Sequence, residues 1–122
     1  ALTGRFTRYG YLVDHSEVNT LQWAGIRKYD ITTGECLSAW SDSLEHSWYS
    51  EPWFASADNP QSEDHGYVIA FQWHDQLQRQ TLDIFDARDL NQGPVAQVAM
   101  PVRIPLGFHG CWMAAHRMKA AA

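Results

Sequence analysis

The sequence has little cysteine, no excess of positive charge and no long apolar run. Cys36 and Cys111 lie far apart and form no CxxC pair, which argues against a zinc site or disulfide framework and for free thiols in a reducing, cytoplasmic setting. The net charge of -5 excludes the basic face that nucleic-acid binding requires, so we expect no nucleic-acid partner. No run is long enough to span a bilayer, and no signal-peptide pattern opens the chain.

Short runs of aromatic and branched apolar residues, separated by turn-forming residues, dominate what is present. Helical periodicity is weak, so the pattern predicts an all-β fold with about seven strands joined in hairpins. Val95 and Val98 are the expected apolar anchors of the last strand. We expect a loop at residues 41–49 and a short polar or helical tail at residues 114–122. The expected strands are residues 8–14, 21–31, 35–40, 53–56, 67–74, 81–86 and 95–100.

The segment DITTG, between the second and third expected strands, is typical of a hairpin turn. Asp30 can bond to the backbone that follows it, and Gly34 tolerates a positive φ. The segments YDITTGE and FDARDLNQG are loosely similar and indicate two related units, as in the blades of a propeller. Hairpins of a β-sandwich give the same pattern, so the repeat leaves both architectures open.

None of the six histidines has the spacing of a local zinc motif such as HExxH. Metal sites in β proteins are assembled from distant segments, so this absence excludes little. His65 stands in an EDH cluster, which predicts a solvated acidic turn, with a local group of ligands as the alternative. Four other histidines lie in polar or turn-like segments and are expected to be solvated or capping side chains: His15, His46, His74 and His116.

His109 and Glu51 are the candidate site residues. Glycines on both sides of the Phe108–His109 pair permit close approach of the backbone, and Pro105 stiffens the segment, so one imidazole can be aimed at a fixed point. A histidine in a tight turn is the alternative. Glu51 lies between an aromatic loop and an apolar strand, and a buried acid there could accept the far N–H of a metal-bound histidine. An exposed glutamate before proline is the alternative.

Three ordered segments resemble the C-terminal end of carotenoid cleavage oxygenases: YSEPWFAS, EDHGYVIAFQWHD and LDIFDARDLNQGPVAQVAMPVRIPLGFHG. The earlier segment GIRKYDITTGE is similar to a hairpin typical of that family. The resemblance spans residues 6–113, and the ordered set ending in FHG is specific. One departure is that the family's turn reads EDDG, so His65 replaces an acid, and we expect little consequence at a surface turn.

The resemblance implies a seven-bladed β-propeller with non-heme Fe(2+) on its axis, held by four histidines, three of which are supported by glutamates. By this resemblance His109 is the last iron ligand and Glu51 the last supporting glutamate. It also implies a dioxygenase that uses O2 to cleave a conjugated C=C bond of an apolar small molecule, a carotenoid, apocarotenoid or stilbene, into carbonyl products.

The same resemblance makes residues 1–122 the C-terminal part of a single propeller domain, about two blades plus a closing strand. The missing N-terminal blades would supply the other ligands, so we expect the isolated chain to be inactive. Family members often touch membranes peripherally, and the resemblance extends that expectation to the full-length protein.

Two other functions stay open on the residues. A non-catalytic, β-rich binding or interaction module would have the same strands without needing His109 or Glu51. A different metalloenzyme would gather its ligands locally, from His65, His74 and His109. The first alternative predicts that the imidazole of His109 can be removed without effect, and the second predicts that these three histidines lie together.

Overall fold

The computed structural model describes residues 5–14, 23–42, 47–105, 107 and 109–118, and its regular structure is almost entirely antiparallel β-strand. The all-β prediction is confirmed. No helix in this described part is long and apolar enough to cross a bilayer. The elements in chain order are β1 (Tyr9–Asp14), β2 (Gly25–Asp30), β3 (Glu35–Ser41), β4 (Ser47–Tyr49), β5 (Trp53–Ser56), β6 (Gly66–His74), β7 (Arg79–Asp86), a 3-10 turn (Leu90–Gln92), β8 (Pro94–Ala99) and the helical turn α1 (Ala115–Met118).

β1, β2 and β3 form the first sheet, in that order and all antiparallel. The DITTG segment turns between β2 and β3 as the sequence predicts. Asp30 Oδ1 accepts the backbone N–H groups of Thr32 at 2.9 Å and Thr33 at 3.3 Å. Gly34 completes the turn at φ 75°, a left-handed conformation that costs a glycine little.

The second sheet is built around the nine-residue strand β6. β7 pairs with one edge of β6, and β8 pairs with β7. Two short strands share the other edge of β6: β4 pairs with its C-terminal part and β5 with its N-terminal part. Residues 50–52 therefore lie at a break in the edge strand, and this break positions the candidate site.

β4 lies inside residues 41–49, and the prediction of a loop there is wrong for Ser47–Tyr49. Trp48 pairs with Trp73 of β6, and Tyr49 also forms an isolated bridge with Trp23. A three-residue strand is too short to show alternation, so its pairing depends on tertiary contacts that the sequence pattern does not carry. Residues 43–46 lie outside the described part of the chain.

The two sheets pack face to face around aromatic and aliphatic side chains. The ring centroids of Phe85 and Tyr49 are 6.1 Å apart in an edge-to-face contact, and Trp40 lies 6.4 Å from Phe85. Full burial of an apolar side chain of this size contributes roughly 1.5–3 kcal/mol. The core consists of Ile26, Tyr49, Val68, Ala70, Phe85, Ala87 and Leu90.

Polar contacts join the same two sheets. Lys28 Nζ, on a side chain only 3% exposed, bonds to Asp64 Oδ2 at 2.7 Å and to the carbonyl of Arg88 at 3.0 Å. The backbone N–H of Leu90 donates to Ser38 Oγ at 3.1 Å. We call these residues, together with the core, the seam. The seam therefore joins the two sheets through apolar and polar contacts together.

The edge strand β8 confirms a predicted strand but not its predicted packing. Val95 and Val98 were expected to anchor it in the core, yet they are 54% and 50% exposed. The reason is that β8 pairs only with β7 in the described part, so its outer face meets no second layer. After Ala99 the described residues form no further strand, and the tail at residues 114–122 contains the turn α1 (Ala115–Met118), with residues 119–122 outside the description.

Candidate functional site

Glu51 lies in the break between β4 and β5, where its neighbour Ser50 replaces a missing backbone partner. The Ser50 N–H donates to the Phe71 carbonyl at 2.8 Å, and the Phe71 N–H donates to Ser50 Oγ at 2.9 Å. The Ser50 hydroxyl then donates to the Glu51 carbonyl at 3.1 Å. Because Pro52 has no N–H, the ladder cannot simply continue, and the serine hydroxyl fills the gap. The backbone of Glu51 is therefore fixed by the hydroxyl of Ser50.

His109 lies on the segment that follows β8 and crosses the second sheet; we call residues 101–110 the strap. Residues 106 and 108 lie outside the described part. The Arg103 guanidinium lies 4.3 Å from the centre of the Trp73 ring. Gly110 packs on the indole of Trp53, where a Cβ atom would come within 2.6 Å of the ring. The strap therefore contacts the sheet on both sides of His109.

The structure brings His109 and Glu51 together. His109 Nδ1 lies 3.4 Å from Glu51 Oε2, which is ion-pair distance but longer than a normal hydrogen bond. The Glu51 side chain is 41% exposed, but its Oε2 atom is buried and has no hydrogen-bond partner among the described residues. The His109 side chain is 87% exposed. A neutral imidazole with its proton on Nδ1, facing the carboxylate, leaves the lone pair of Nε2 free to bind an electrophile.

Two clefts flank this pair. The larger, of about 1050 Å³, reaches Glu51 and runs between β1 and β5. The smaller, of about 260 Å³, lies under the strap and reaches His109. Five of the residues that line the larger cleft and four of those that line the smaller are aromatic, and such rings suit apolar ligands. Charged side chains, among them Arg5, Asp58 and Glu63, also line the larger cleft. The aromatic lining residues are Tyr9, Tyr11, Trp53, Phe54 and Trp112 in the larger cleft and Trp48, Trp53, Phe71 and Trp73 in the smaller.

Tyr49 anchors the chain just before Glu51 through a buried polar network. Its hydroxyl accepts the Trp40 indole N–H at 3.1 Å and donates to Asp83 Oδ2 at 3.1 Å. Burial and the neighbouring Asp83 carboxylate raise the pKa of Tyr49 above its ordinary value, so the phenol stays protonated and keeps donating. Thr81 and Gln97 also donate to Asp83 Oδ1, so this fully buried carboxylate has three donors.

His65 lies in a turn that is solvated only in part: Glu63 is exposed, as predicted, whereas Asp64 is partly buried. Glu63 Oε1 accepts the backbone N–H groups of Arg8 and Tyr9, and Asp64 bonds to the buried Lys28. Burial alone would raise the pKa of Asp64, but hydrogen bonds from Lys28 and Ser62 hold it below its ordinary value. His65 itself is half-buried and accepts the Gln61 N–H on Nδ1 at 3.1 Å. The turn therefore links the two sheets.

His74 is buried at the end of β6, so the expectation of a solvated side chain is wrong, whereas that of a capping side chain is confirmed. Its Nδ1 accepts the N–H of Leu77 at 3.4 Å, and its buried Nε2 has no hydrogen-bond partner among the residues that the structure describes. Within the described residues no three His, Cys, Asp or Glu side chains lie close enough to hold a metal ion. The local site of His65, His74 and His109 is therefore not formed there. His15 and His46, and the side chain of His116, lie outside the description.

Comparison with known proteins gives this geometry a context. Residues 1–114 match the model of one family, described as Retinal pigment epithelial membrane protein. A 9-cis-epoxycarotenoid dioxygenase of chloroplasts from Oryza sativa subsp. japonica is 31% identical over 115 residues, covering 90% of this chain and 20% of that protein. The lignostilbene-alpha,beta-dioxygenase isozyme III of Sphingomonas paucimobilis is 31% identical over 97 residues, covering 80% of this chain and 19% of that protein.

The fold has solved counterparts. Cobalt-substituted Synechocystis ACO, an apocarotenoid oxygenase, superimposes with a TM-score of 0.79 at 29% identity, covering 92% of this chain and 23% of that one. The two sheets described above are thus the C-terminal blades of a seven-bladed β-propeller of the carotenoid oxygenase type. The chain spans about a fifth of the length of the relatives it matches.

Proposed function

This chain belongs to the Retinal pigment epithelial membrane protein family, and on that premise we propose that it forms the last part of a non-heme Fe(2+)-dependent dioxygenase. The proposed reaction cleaves a conjugated C=C bond of a carotenoid, apocarotenoid or stilbene with O2 and gives two carbonyl products. The relatives named above are dioxygenases for epoxycarotenoids and lignostilbenes. Because these relatives act on different substrate classes, the proposal does not choose among carotenoids, apocarotenoids and stilbenes.

One observation carries the proposal: the buried Glu51 Oε2, which has no hydrogen-bond partner in the described part of the chain, faces His109 Nδ1. This is the arrangement in which a carboxylate fixes the tautomer and direction of a metal-binding imidazole. Imidazole nitrogen is a suitable ligand for Fe(2+). One of the solved relatives is a cobalt-substituted protein, so that relative accepts a transition-metal ion. Residues of this chain therefore fit one corner of such a site.

We assign His109 as one iron ligand and Glu51 as the residue that orients it. When bound, iron supplies the activation of O2 that cleavage of the C=C bond requires. With iron bound, Glu51 would accept a hydrogen bond from the His109 Nδ1–H, which fixes the tautomer and direction of the ring. The backbone of Glu51 is fixed in turn by Ser50.

The aromatic clefts on both sides of this pair supply the apolar surface that a conjugated substrate needs. The larger cleft reaches Glu51 and has room for a polyene or stilbene segment, with about 1050 Å³. Trp53 lines both clefts and contacts the strap at Gly110, so it links the substrate wall to the segment that carries His109. We propose that this wall holds the substrate and excludes water from its reacting bond.

The 122-residue chain alone should be inactive, because one imidazole does not retain iron. The other ligands are proposed to come from the N-terminal blades of the longer protein. Titration of the purified chain with Fe(2+) under anaerobic conditions tests this, with weak or undetectable binding as the expected result. Tight binding of one iron per chain would contradict it.

The decisive experiment changes His109→Ala in the longer protein that contains this chain. Iron per protein, measured by plasma emission spectroscopy, should fall to a small fraction of the wild-type value, and cleavage of apocarotenoid and stilbene substrates should be lost. His65→Ala is the matched control, because it removes another imidazole away from the site. If His109→Ala kept both iron and cleavage, a non-catalytic β-rich binding module would be the better description.

A further inference from the structure

Gln80, on β7, holds both ends of the bend that leads from β8 into the strap. Its backbone carbonyl accepts the Met100 N–H at 2.9 Å. Its side-chain Oε1 accepts the Ile104 N–H at 2.6 Å, and its Nε2 donates to the Ile104 carbonyl at 3.3 Å. The amide side chain thus bonds to both main-chain groups of one residue, as a neighbouring strand would.

The contact between Gln80 and Ile104 is buried. Two prolines near Ile104 also restrict the backbone conformation of the strap. Gln80 is only 7% exposed, so its amide has little access to water and depends on Ile104. Pro101 lies inside the bend and Pro105 directly after Ile104, so the backbone on both sides is stiff. His109 follows five residues after Ile104. A displacement of Ile104 would therefore move the start of the segment that leads to His109.

We propose that Gln80 is a positioning residue which, by pairing with the backbone of Ile104, sets the contact between His109 and Glu51. Gln80 lies under the strap together with His109, along the wall of the smaller cleft. Its effect passes through the main chain of the strap and requires no contact with substrate or metal. The consequence for iron rests on the proposed function, whereas the consequence for the strap does not.

The test uses the longer protein, free of metal, in wild-type form and as the variant Gln80→Met. Methionine has a similar length but makes neither hydrogen bond. Hydrogen–deuterium exchange followed by mass spectrometry should show exchange of strap peptides covering residues 101–110 accelerated by about tenfold, the effect of losing a hydrogen bond of ordinary strength. Peptides of β6 should exchange at the wild-type rate. Gln76→Met changes an exposed glutamine in the adjoining turn and is the matched control.

A second variant keeps the test decisive if Gln80→Met fails to fold. Gln80→Glu retains the acceptor for the Ile104 N–H but places a carboxylate oxygen against the Ile104 carbonyl, so strap exchange should again be faster than in wild type. Unchanged strap exchange in a folded Gln80 variant, or acceleration equally in β6 and the strap, would overturn the inference.

Iron measurements then separate this inference from the proposed function. Gln80→Met should weaken Fe(2+) binding by about tenfold, as loss of support around a ligand does. If His109→Ala leaves iron binding unchanged, the proposed function fails while the exchange data still decide the role of Gln80. If His109→Ala abolishes iron binding but Gln80→Met changes neither iron affinity nor strap exchange, only the positioning role fails.

Discussion

The seam between the two sheets and the strap on the second sheet are stabilised by different kinds of contact. The seam combines a seven-residue core with hydrogen bonds and an ion pair. Among the described residues, the strap is held by Gln80, a cation–π contact and a glycine packed on an indole, while its histidine is 87% exposed. The part that makes the fold stable is therefore separate from the part that carries the candidate chemistry.

This difference separates the residues that stabilise the fold from the residues that position the candidate site. A buried seam residue that loses a partner leaves a cavity or an unpaired charge, and the whole domain is destabilised. A strap residue that loses a contact changes only the direction of a short exposed segment. We therefore expect substitutions in the seam to act on unfolding and substitutions in the strap to act on the site.

The largest effect is expected from Phe85→Ala in the centre of the seam. Phe85 is fully buried, so its truncation should lower the free energy of unfolding by about 3–5 kcal/mol. Val98→Ala on the exposed edge strand β8 is the control and should change it by less than about 0.5 kcal/mol. Urea denaturation measures both. Equal losses would mean that β8 packs as the sequence suggested.

A smaller effect is expected from Lys28→Met, which leaves Asp64 without its cation. The free energy of unfolding should fall by about 2 kcal/mol, below the range for a fully buried pair because Asp64 is still 14% exposed. The control is Arg27→Met, whose partner Asp14 is more exposed, and its loss should stay within about 1 kcal/mol. Urea denaturation at pH 7 measures both variants, and equal losses would contradict a special role of the buried pair.

The same pair predicts a dependence on pH. The folded-state pKa of Asp64 is lowered, so its stabilisation is present above the ordinary carboxylate pKa and is lost as the pH falls through the folded-state value. Wild-type stability should therefore decline below about pH 4, and Lys28→Met should flatten that decline. A wild-type and variant decline of the same steepness would show that Lys28 does not set the pKa.

The smallest effect on folding is expected in the strap, from Gly110→Ala. A Cβ atom there would lie 2.6 Å from the Trp53 ring, so the strap or the indole must shift, and we expect His109 to move relative to Glu51. Iron affinity of the longer protein should fall about tenfold, while the free energy of unfolding changes by less than about 1 kcal/mol. Gly107→Ala is the control, because a Cβ atom there meets nothing within 4 Å. Equal iron affinities of the two variants would contradict this account.

Much of the fold follows from local sequence signals. The hairpin around Asp30 and Gly34 combines a side-chain acceptor with a residue that tolerates positive φ, and both are readable in the letters DITTG. β4 could not be predicted in this way, because three residues are too few to show the alternation of apolar and polar residues that is typical of a strand. Val98 misleads because an apolar side chain on a strand predicts burial only where a second layer covers it.

Only part of the candidate site could be predicted from the sequence. Neither His109 nor Glu51 stands out from composition, and it was the resemblance of the ordered segments that paired them; the structure puts them 3.4 Å apart. Ser50 and Gln80 were missed. A serine before Glu-Pro and a glutamine on a strand are ordinary, and their importance comes from the broken ladder and the bend that they satisfy. Such roles depend on tertiary geometry.

The break between β4 and β5 also has a consequence for how such a protein can diverge. Ser50 satisfies the backbone of β6 at the break, so the side chain of residue 51 is not needed for pairing of the sheet. We therefore expect substitutions at Glu51 to leave the pairing of β6 intact and to cost little in folding. At this break, a change of residue 51 can alter the surroundings of the His109 imidazole while the pairing of the strands stays the same.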